Sequence, residues 1–378
     1  MNRPALLKEV IPENNKAAGF NEFDVLEFSL DFENAKMVAN TVRLEFDVRC
    51  KNSAGNNIPT DSVIKFDSKA GGHCFIDQIT TETRRQGVLE VASDCARLEK
   101  MITEATENSA DMLNSGNICQ LKQVDDELIR QIIRGIPTRT AGSTVNRDND
   151  VSLKLPFCLN RAAGIDNPAD LFVKYETTGT IRISVQLARN VSVFYGNQAD
   201  GATYTIKNPR LTYVAVPDDN EKQGRMNFRT QTGIKASVQS NQENIACKVP
   251  SVCNAMSISF IRQARENDYL FNNLACEPVP DLEELTFTFN NSLNEFVTYT
   301  IRNDRPEVLS RYIESIRDSG KNNATLQKLK ANDCYGVGLS FGEFVDLSSQ
   351  TVGVNLKSAV TNVEPMTAFL YFHGVISL

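Results

Sequence analysis

The 378-residue sequence has no tryptophan and only two histidines, His73 and His373. Two histidines are too few for the metal-binding sets that a double cupin carries on its strands. The missing tryptophan weighs against a tandem sugar-binding sandwich, which normally shows exposed aromatics in a groove. No Gly-x-Ser-x-Gly elbow, phosphate loop or dinucleotide fingerprint occurs. No apolar run approaches the ~18 residues of a membrane span. The start, Met1-Asn2-Arg3-Pro4 onward, lacks the apolar core of a secretory signal. Lysine and arginine never form a run of five, and the formal net charge is −7. Gripping nucleic-acid phosphates is therefore not the expected task.

Nine cysteines (Cys50, Cys74, Cys95, Cys119, Cys158, Cys247, Cys253, Cys276 and Cys334) are thinly spread and odd in number. Even the nearest pair, Cys247 and Cys253, is not a CxxC, so free thiols in a reducing compartment are expected. Asn-x-Ser/Thr triplets begin at Asn190, Asn290 and Asn323, and without a secretion signal they read as chance. Carboxylate pairs such as Asp125-Asp126-Glu127 and Glu283-Glu284 read as solvated faces. His373 reads as an ordinary edge or core histidine. No catalytic, metal-binding or cofactor-binding residue is assigned, and no cofactor is expected.

What the sequence does have is alternation. In Thr180 to Leu187, Ile181, Ile183, Val185 and Leu187 share one parity, and Arg182, Ser184 and Gln186 the other. A period of two puts the first set on the buried face of a strand. Val191 to Tyr195 repeats the pattern, and Tyr204 to Val216 supplies further strand, broken at Asn208-Pro209 because proline gives the ladder no donor. The carboxyl-terminal region follows the same course: Gln350 to Lys357 alternates, Pro365 interrupts, and Ala368 to Ile376 closes. Two β-units of one kind in tandem are expected.

Taken in order, residues 1–19 read as an arm, either loose or folded only against a partner. Phe23–Leu30, Val42–Val48, Val63–Phe66 and Cys74–Thr80 read as strands around turn chemistry at 51–61. From about Val91 the period becomes helical: Leu98, Met101, Ile102 and Ala105, then Val124, Leu128, Ile129, Ile132 and Ile133, stopped by Gly135 and Pro137. This insertion, about 91–135, must cover a barrel end or contact a neighbour. Val151–Leu159 resumes the sheet, and Pro168–Val173 reads as a short helix. The first unit thus spans 20–216, with a polar linker at 217–232. The second spans 233–378, with strands at Ser257–Ile261, Leu285–Phe289 and Phe296–Ile301, a turn at 290–294 and a helix from Pro306 to Asp318. Short strands and turn-rich loops indicate an all-β fold with helical insertions, in two eight-stranded antiparallel jelly-roll sandwiches.

Several stretches carry a family likeness. They include Gly72-His73-Cys74-Phe75-Ile76-Asp77-Gln78-Ile79, then Val88-Leu89-Glu90 and a helix with Arg97-Leu98. They continue through Ala202 to Tyr213, Phe287-Thr288-Phe289-Asn290, the helix with Arg311-Tyr312, and Asp346-Leu347-Ser348. In their order and spacing, from about Phe23 onward, the chain resembles the double jelly-roll major capsid proteins of tailless DNA viruses: adenovirus hexons, tailless membrane-containing phages, virophages and polinton-like viruses. The resemblance implies a homotrimer that packs six jelly rolls into a pseudo-hexagonal block tiling an icosahedral shell in the virion. Its implied partners are its own copies, neighbouring trimers, penton and minor capsid proteins, and in some members an internal membrane. Sequence-specific nucleic-acid binding is not among them, and the family has no catalytic residues to carry over. The chain departs from the larger hexons in lacking very long tower loops. Two other readings are weighed against this one, a two-jelly-roll glycan-processing hydrolase of the peptide amidase type and a tandem carbohydrate-binding sandwich. A buried acidic cluster at the barrel junction in a monomer is the feature that would favour the hydrolase.

Overall fold

The alternation in the sequence becomes alternation in burial. In the computed structural model, which describes residues 5–58, 63–106, 119–122, 149–163, 172–218, 226–248, 252–290, 296–302, 307–316, 335–347, 351–359 and 364–378, Ile181, Ile183, Val185 and Leu187 are buried and Arg182 is exposed. Thr351–Ser358 behaves likewise, with Val352, Val354 and Leu356 inward. The two segments lie in different sheets.

Eleven strands precede the polar break: β1 Leu6–Val10, β2 Val25–Leu30, β3 Ala35–Val38, β4 Arg43–Lys51, β5 Ile76–Thr83, β6 Gly87–Ala92, β7 Asn149–Lys154, β8 Ala162–Ala163, β9 Phe172–Lys174, β10 Ile181–Leu187 and β11 Thr203–Pro217. Eight follow it: β12 Asn227–Val238, β13 Gln242–Lys248, β14 Val252–Arg262, β15 Leu282–Asn290, β16 Phe296–Arg302, β17 Val337–Asp346, β18 Thr351–Ser358 and β19 Met366–Ser377. Two longer helices are described, α1 Cys95–Thr106 and α2 Glu307–Ile316.

These strands form four antiparallel sheets. The first half builds β7-β4-β11-β3-β9, with β1 added on β11, and β2-β10-β5-β6. The second half builds β17-β14-β19-β12, to whose edge β8 of the first half is added, and β13-β18-β15-β16. Each pair of sheets encloses an apolar core, so the architecture is two jelly-roll sandwiches. Asn208-Pro209 does not end a strand. β11 continues past it with a register shift between Lys207 and Arg210, and Asn208 takes φ 48°. A bulge lets the strand accommodate the missing donor.

The two cores share elements. Leu98 and Met101 of α1 belong to the second core, although α1 lies within the first half of the chain. Met226, Phe228 and Leu274 of the second half belong to the first core. The helical stretch expected to cover a barrel end or a neighbour therefore faces the other sandwich of its own chain. The rest of that insertion, including Val124 to Ile133, lies outside the described residues. α2 rests on β17, where glycine is required: a Cβ at Gly336 would fall within the ring of Tyr312, and one at Gly338 on Ser315.

The fold departs from the sequence reading in several places. Residues 5–19 are not a loose arm. β1 pairs along β11 from Leu6↔Ala215 to Val10↔Leu211, Asn14 brackets β2 through Val25 O and Glu27 N, and Phe20 is fully buried. The otherwise open edge of β11 accounts for this, because unpaired strand donors and acceptors recruit a neighbour. Val191–Tyr195 is no strand: Asn190–Val193 makes one helical turn, with Phe194 N–H bonding Asn190 O. Residues 63–66 contribute only the bridge Lys65↔Tyr195, and Cys74 and Phe75 sit in a 3-10 turn, Gly71–Phe75, before β5. Likewise Cys158–Leu159 lies in a 3-10 turn after β7. Phe172-Val173 is strand rather than helix, and the remainder of the expected 168–173 helix lies outside the described residues. Residues 227–232 belong to β12 instead of the linker.

Because Leu98 packs in the second core, Leu98→Ala is expected to cost about 2–5 kcal/mol, the range for such truncations. Hydrogen exchange is expected to quicken in β14 and β19. Quickening confined to β2, β5 and β10 would contradict the shared core.

Candidate functional site at the junction of the sandwiches

The junction is built by α1, the 3-10 turn at 71–75 and the loop at 263–281 between β14 and β15. α1 is polar in composition yet buried on most sides, with Arg97, Lys100, Thr103 and Glu104 all buried. Buried charge is tolerated only when paired or hydrogen-bonded, and Arg97 and Lys100 have partners across the junction or within it. Arg97 donates to the carbonyls of Ala275 (2.6 Å) and Asn273, and its guanidinium lies 3.9 Å over the ring of Phe369 on β19. Lys100 Nζ sits 3.1 Å from Asp67 Oδ2. That carboxylate also accepts the N–H groups of Lys69 and Ala70 and the amide of Asn272 (2.6 Å). Burial raises the Asp67 pKa, but Lys100 and these donors outweigh it and hold the carboxyl below its usual range.

Two more carboxylates anchor the same region. Glu99 pairs with Lys122, which also bonds Thr103. Burial opposes ionisation of Glu99, yet Lys122 and His73 win and its pKa falls to about 2. Glu90 on β6 accepts Cys158 N (2.6 Å) through one oxygen and Gln231 N (2.7 Å) of β12 through the other, so one side chain ties three segments and both sandwiches. Here burial prevails over Arg161 and the two N–H donors, and the carboxyl titrates above its ordinary range. Backbone bonds reinforce the seam, with Arg229 N donating to Arg161 O, Gly196 N to Tyr269 O, and β8 paired on β12.

The histidines are structural. His73 is buried with its ring nitrogens 3.1 Å from Ala70 O and 3.0 Å from Lys154 O, and burial pushes its pKa down. His373 meets Ser257 Oγ at 2.9 Å. Seven cysteines are buried and Cys119 is exposed, while Cys334 lies outside the described residues. Burial lifts the Cys50 thiol to about 12, far from the thiolate needed for reactivity. Glu283 makes a surface pair with Lys357, and Asp125-Asp126-Glu127 lies outside the described residues. Asn190 is buried and accepts from Tyr204 N, which is incompatible with a glycan. Among the described residues no group of three or more His, Cys, Asp or Glu is placed to hold a metal, and no helix is long and apolar enough to cross a membrane.

One cleft opens at this junction, with Asp77, Asp94, Arg97, Arg189, Lys235 and Phe369 among its walls. It does contain acid groups, the feature that would favour a hydrolase. Burial and the neighbouring Asp94 raise the carboxyl of Asp77. Asp94, however, is held 2.9 Å from Lys235, and Arg189 bonds Asn267. The cleft measures about 220 Å³, smaller than the roughly 300–1,000 Å³ of a typical small-molecule site, and a glycopeptide is larger still. Its charges knit the two sandwiches together, and it provides no room for a substrate of that size. Sequence reasoning missed this cluster because Asp77, Asp94, Arg189 and Lys235 are distant in sequence and belong to no motif.

No family model and no curated protein matches the chain by sequence. Solved structures do match it in fold. The Faustovirus major capsid protein aligns with a TM-score of 0.61 at 8% identity, over 100% of this chain and 90% of that one. PBCV-1 VP54, fitted into a cryo-EM reconstruction of the virophage Sputnik, gives 0.59 at 9% identity, over 100% and 95%. The mavirus major capsid protein gives 0.50 at 10%, over 97% and 86%. The chain thus has a double jelly-roll fold, shared along nearly its whole length with viral major capsid proteins.

The two buried carboxylates predict opposite responses to pH. Glu99, with its lowered folded pKa, contributes stability that is complete above its ordinary range and is lost as pH falls through about 2. Glu90, with a raised one, contributes stability present at low pH and lost as pH rises through its folded value. In urea titrations, Glu90→Gln should therefore compare more favourably with the wild type at pH 8 than at pH 4. The reverse order would contradict the assignment.

Proposed function

We propose that this chain is a major capsid protein that acts by assembling, without catalysing a reaction. The observation that carries the reading is the junction: shared cores and paired buried charges tie the two sandwiches into one block. Freely linked domains rotate, and a tile cannot. The fold shared with the Faustovirus, PBCV-1 and mavirus capsid proteins supports the same reading.

In this reading the division is an amino-terminal segment 1–19, a first sandwich 20–217, a linker 218–226 and a second sandwich 227–378. Three copies set six sandwiches around a threefold axis, giving the near-hexagonal outline that a shell requires. Closed cyclic symmetry uses one heterologous contact three times and leaves no unmatched patch. The trimers then meet one another, penton and minor capsid proteins, and in the virion an internal membrane where one is present. Exposed apolar side chains supply surface for these contacts: Leu6 (52% exposed) and Leu7 (73%) on β1, Ile11 (60%) just after it, and Leu270 and Phe271 on the junction loop.

Light scattering after gel filtration is expected to give a trimer mass, and a monodisperse monomer at micromolar concentration would refute the reading. Leu7→Glu with Ile11→Glu should leave the fold intact, because exposed substitutions usually change stability by no more than about 0.5 kcal/mol each. The same variant should assemble into shells at least about tenfold less well, a change of ~1.4 kcal/mol per contact set. Electron microscopy of assembly reactions reads this directly, and shells formed at wild-type yield would remove β1 from the contact surface.

A further inference from the structure

Apolar contacts at a junction are non-directional, so two apolar surfaces can slide without much loss. Hydrogen bonds and ion pairs fix distance and angle. The seam between the sandwiches has both kinds, and four of its polar contacts meet on one short stretch, residues 272–275 of the second sandwich. Asp67, from the first sandwich, takes the Asn272 amide at 2.6 Å. Arg97 donates to the backbone carbonyls of Asn273 and Ala275. The Asn273 amide donates to Val191 O at 2.8 Å. At the centre lies Lys100, with a fully buried side chain, 3.1 Å from the same Asp67 oxygen that receives Asn272. Asp67's other oxygen is fixed by Lys69 N and Ala70 N, so the carboxylate cannot turn without opening its own loop.

We propose that the Asp67–Lys100 pair, acting through Asn272, sets the angle between the two sandwiches, making these three residues positioning residues for the tile. Buried ion pairs are often replaceable by apolar groups without loss of stability, but in some proteins they select one arrangement among several. This pair is suited to that role because its carboxylate is bound to all three parts of the junction: the turn of the first sandwich, helix α1 and the loop of the second. An apolar pair would keep the two surfaces together but lose the directional contact to Asn272, so that the remaining seam contacts hold the angle less narrowly. This inference deepens the capsid reading, since a shell of one diameter requires one block shape.

The test measures the angle on the isolated protein, so its outcome does not depend on whether shells form. Spin labels at Arg182→Cys on β10 and Asn355→Cys on β18, both exposed positions of opposite sandwiches, report one inter-sandwich distance, in a background with Cys119 and Cys334 changed to serine. Asp67→Asn with Lys100→Met removes both charges together. The wild type should give a single narrow distance, and the double variant a distribution at least twice as broad with its cores still protected from exchange. Asn272→Ala, which keeps the ion pair and removes only the loop contact, should broaden it to a lesser degree, and it serves if the double variant does not fold. An unchanged narrow distance in a folded double variant, or in Asn272→Ala, overturns the proposal. Shell formation by the wild type, scored separately, tests the capsid reading itself.

Discussion

Every antiparallel sheet has a face that must leave water and edges whose donors and acceptors must be met, and this molecule is arranged around those two demands. The faces are met by pairing sheets, which gives the two sandwiches and their alternating strands. The edges are met locally. β1 covers β11, Asn14 brackets β2, β8 borrows a place beside β12, and Phe20 bridges to Ile206. Three of these devices lie in the first twenty residues, which is why a segment that looks unable to fold alone is ordered on its own chain.

The second demand falls on the region between the sandwiches, where the outer face of β19 would otherwise meet solvent. β19 is buried on both faces from Met366 to Gly374, the pattern of a strand covered on both sides. Its junction-facing residues Phe369 and Tyr371 take a charged cover. Arg97 stacks on Phe369, and Tyr371 reaches Asp94 O. α1 can supply that cover because its Leu98 and Met101 enter the second core while its cations and carboxylates are paired along the seam. A helix of the first half thereby becomes a structural member of the second.

Much of this was legible in the sequence. Strands whose one face is solvated, such as β10 and β18, are fixed by period two, and α1 by period 3.6. The family likeness followed from their order and spacing. Other elements were hidden for identifiable reasons. β3 is four residues long and β13 mixes Gln, Glu and Asn with few apolar residues, so neither has a pattern to detect. Val191 and Val193 imitate alternation in a single helical turn, where a window of five residues cannot separate the two periods. The destination of α1 was not readable at all, because an amphipathic stripe states that it needs a partner and not which one. The junction acids and cations were invisible for the same reason: Asp67, Asp94, Lys100, Lys235 and Asn272 become neighbours only when both sandwiches are complete.

The position of β19 also sets a timetable for synthesis. It lies between β14 and β12 in their sheet, pairing with both, yet it is the last strand in the chain. On the ribosome, β12 and β14 wait with open edges, and the Leu98–Met101 face of α1 waits for a core that is still unmade. At about 5–20 residues per second, the interval between Met101 and Met366 is roughly 15–50 s. The second core therefore cannot close until β19 has been made. The same interval is a period of exposure, in which unpaired strands of neighbouring nascent chains can meet, so crowded polysomes are where this fold is most vulnerable to aggregation.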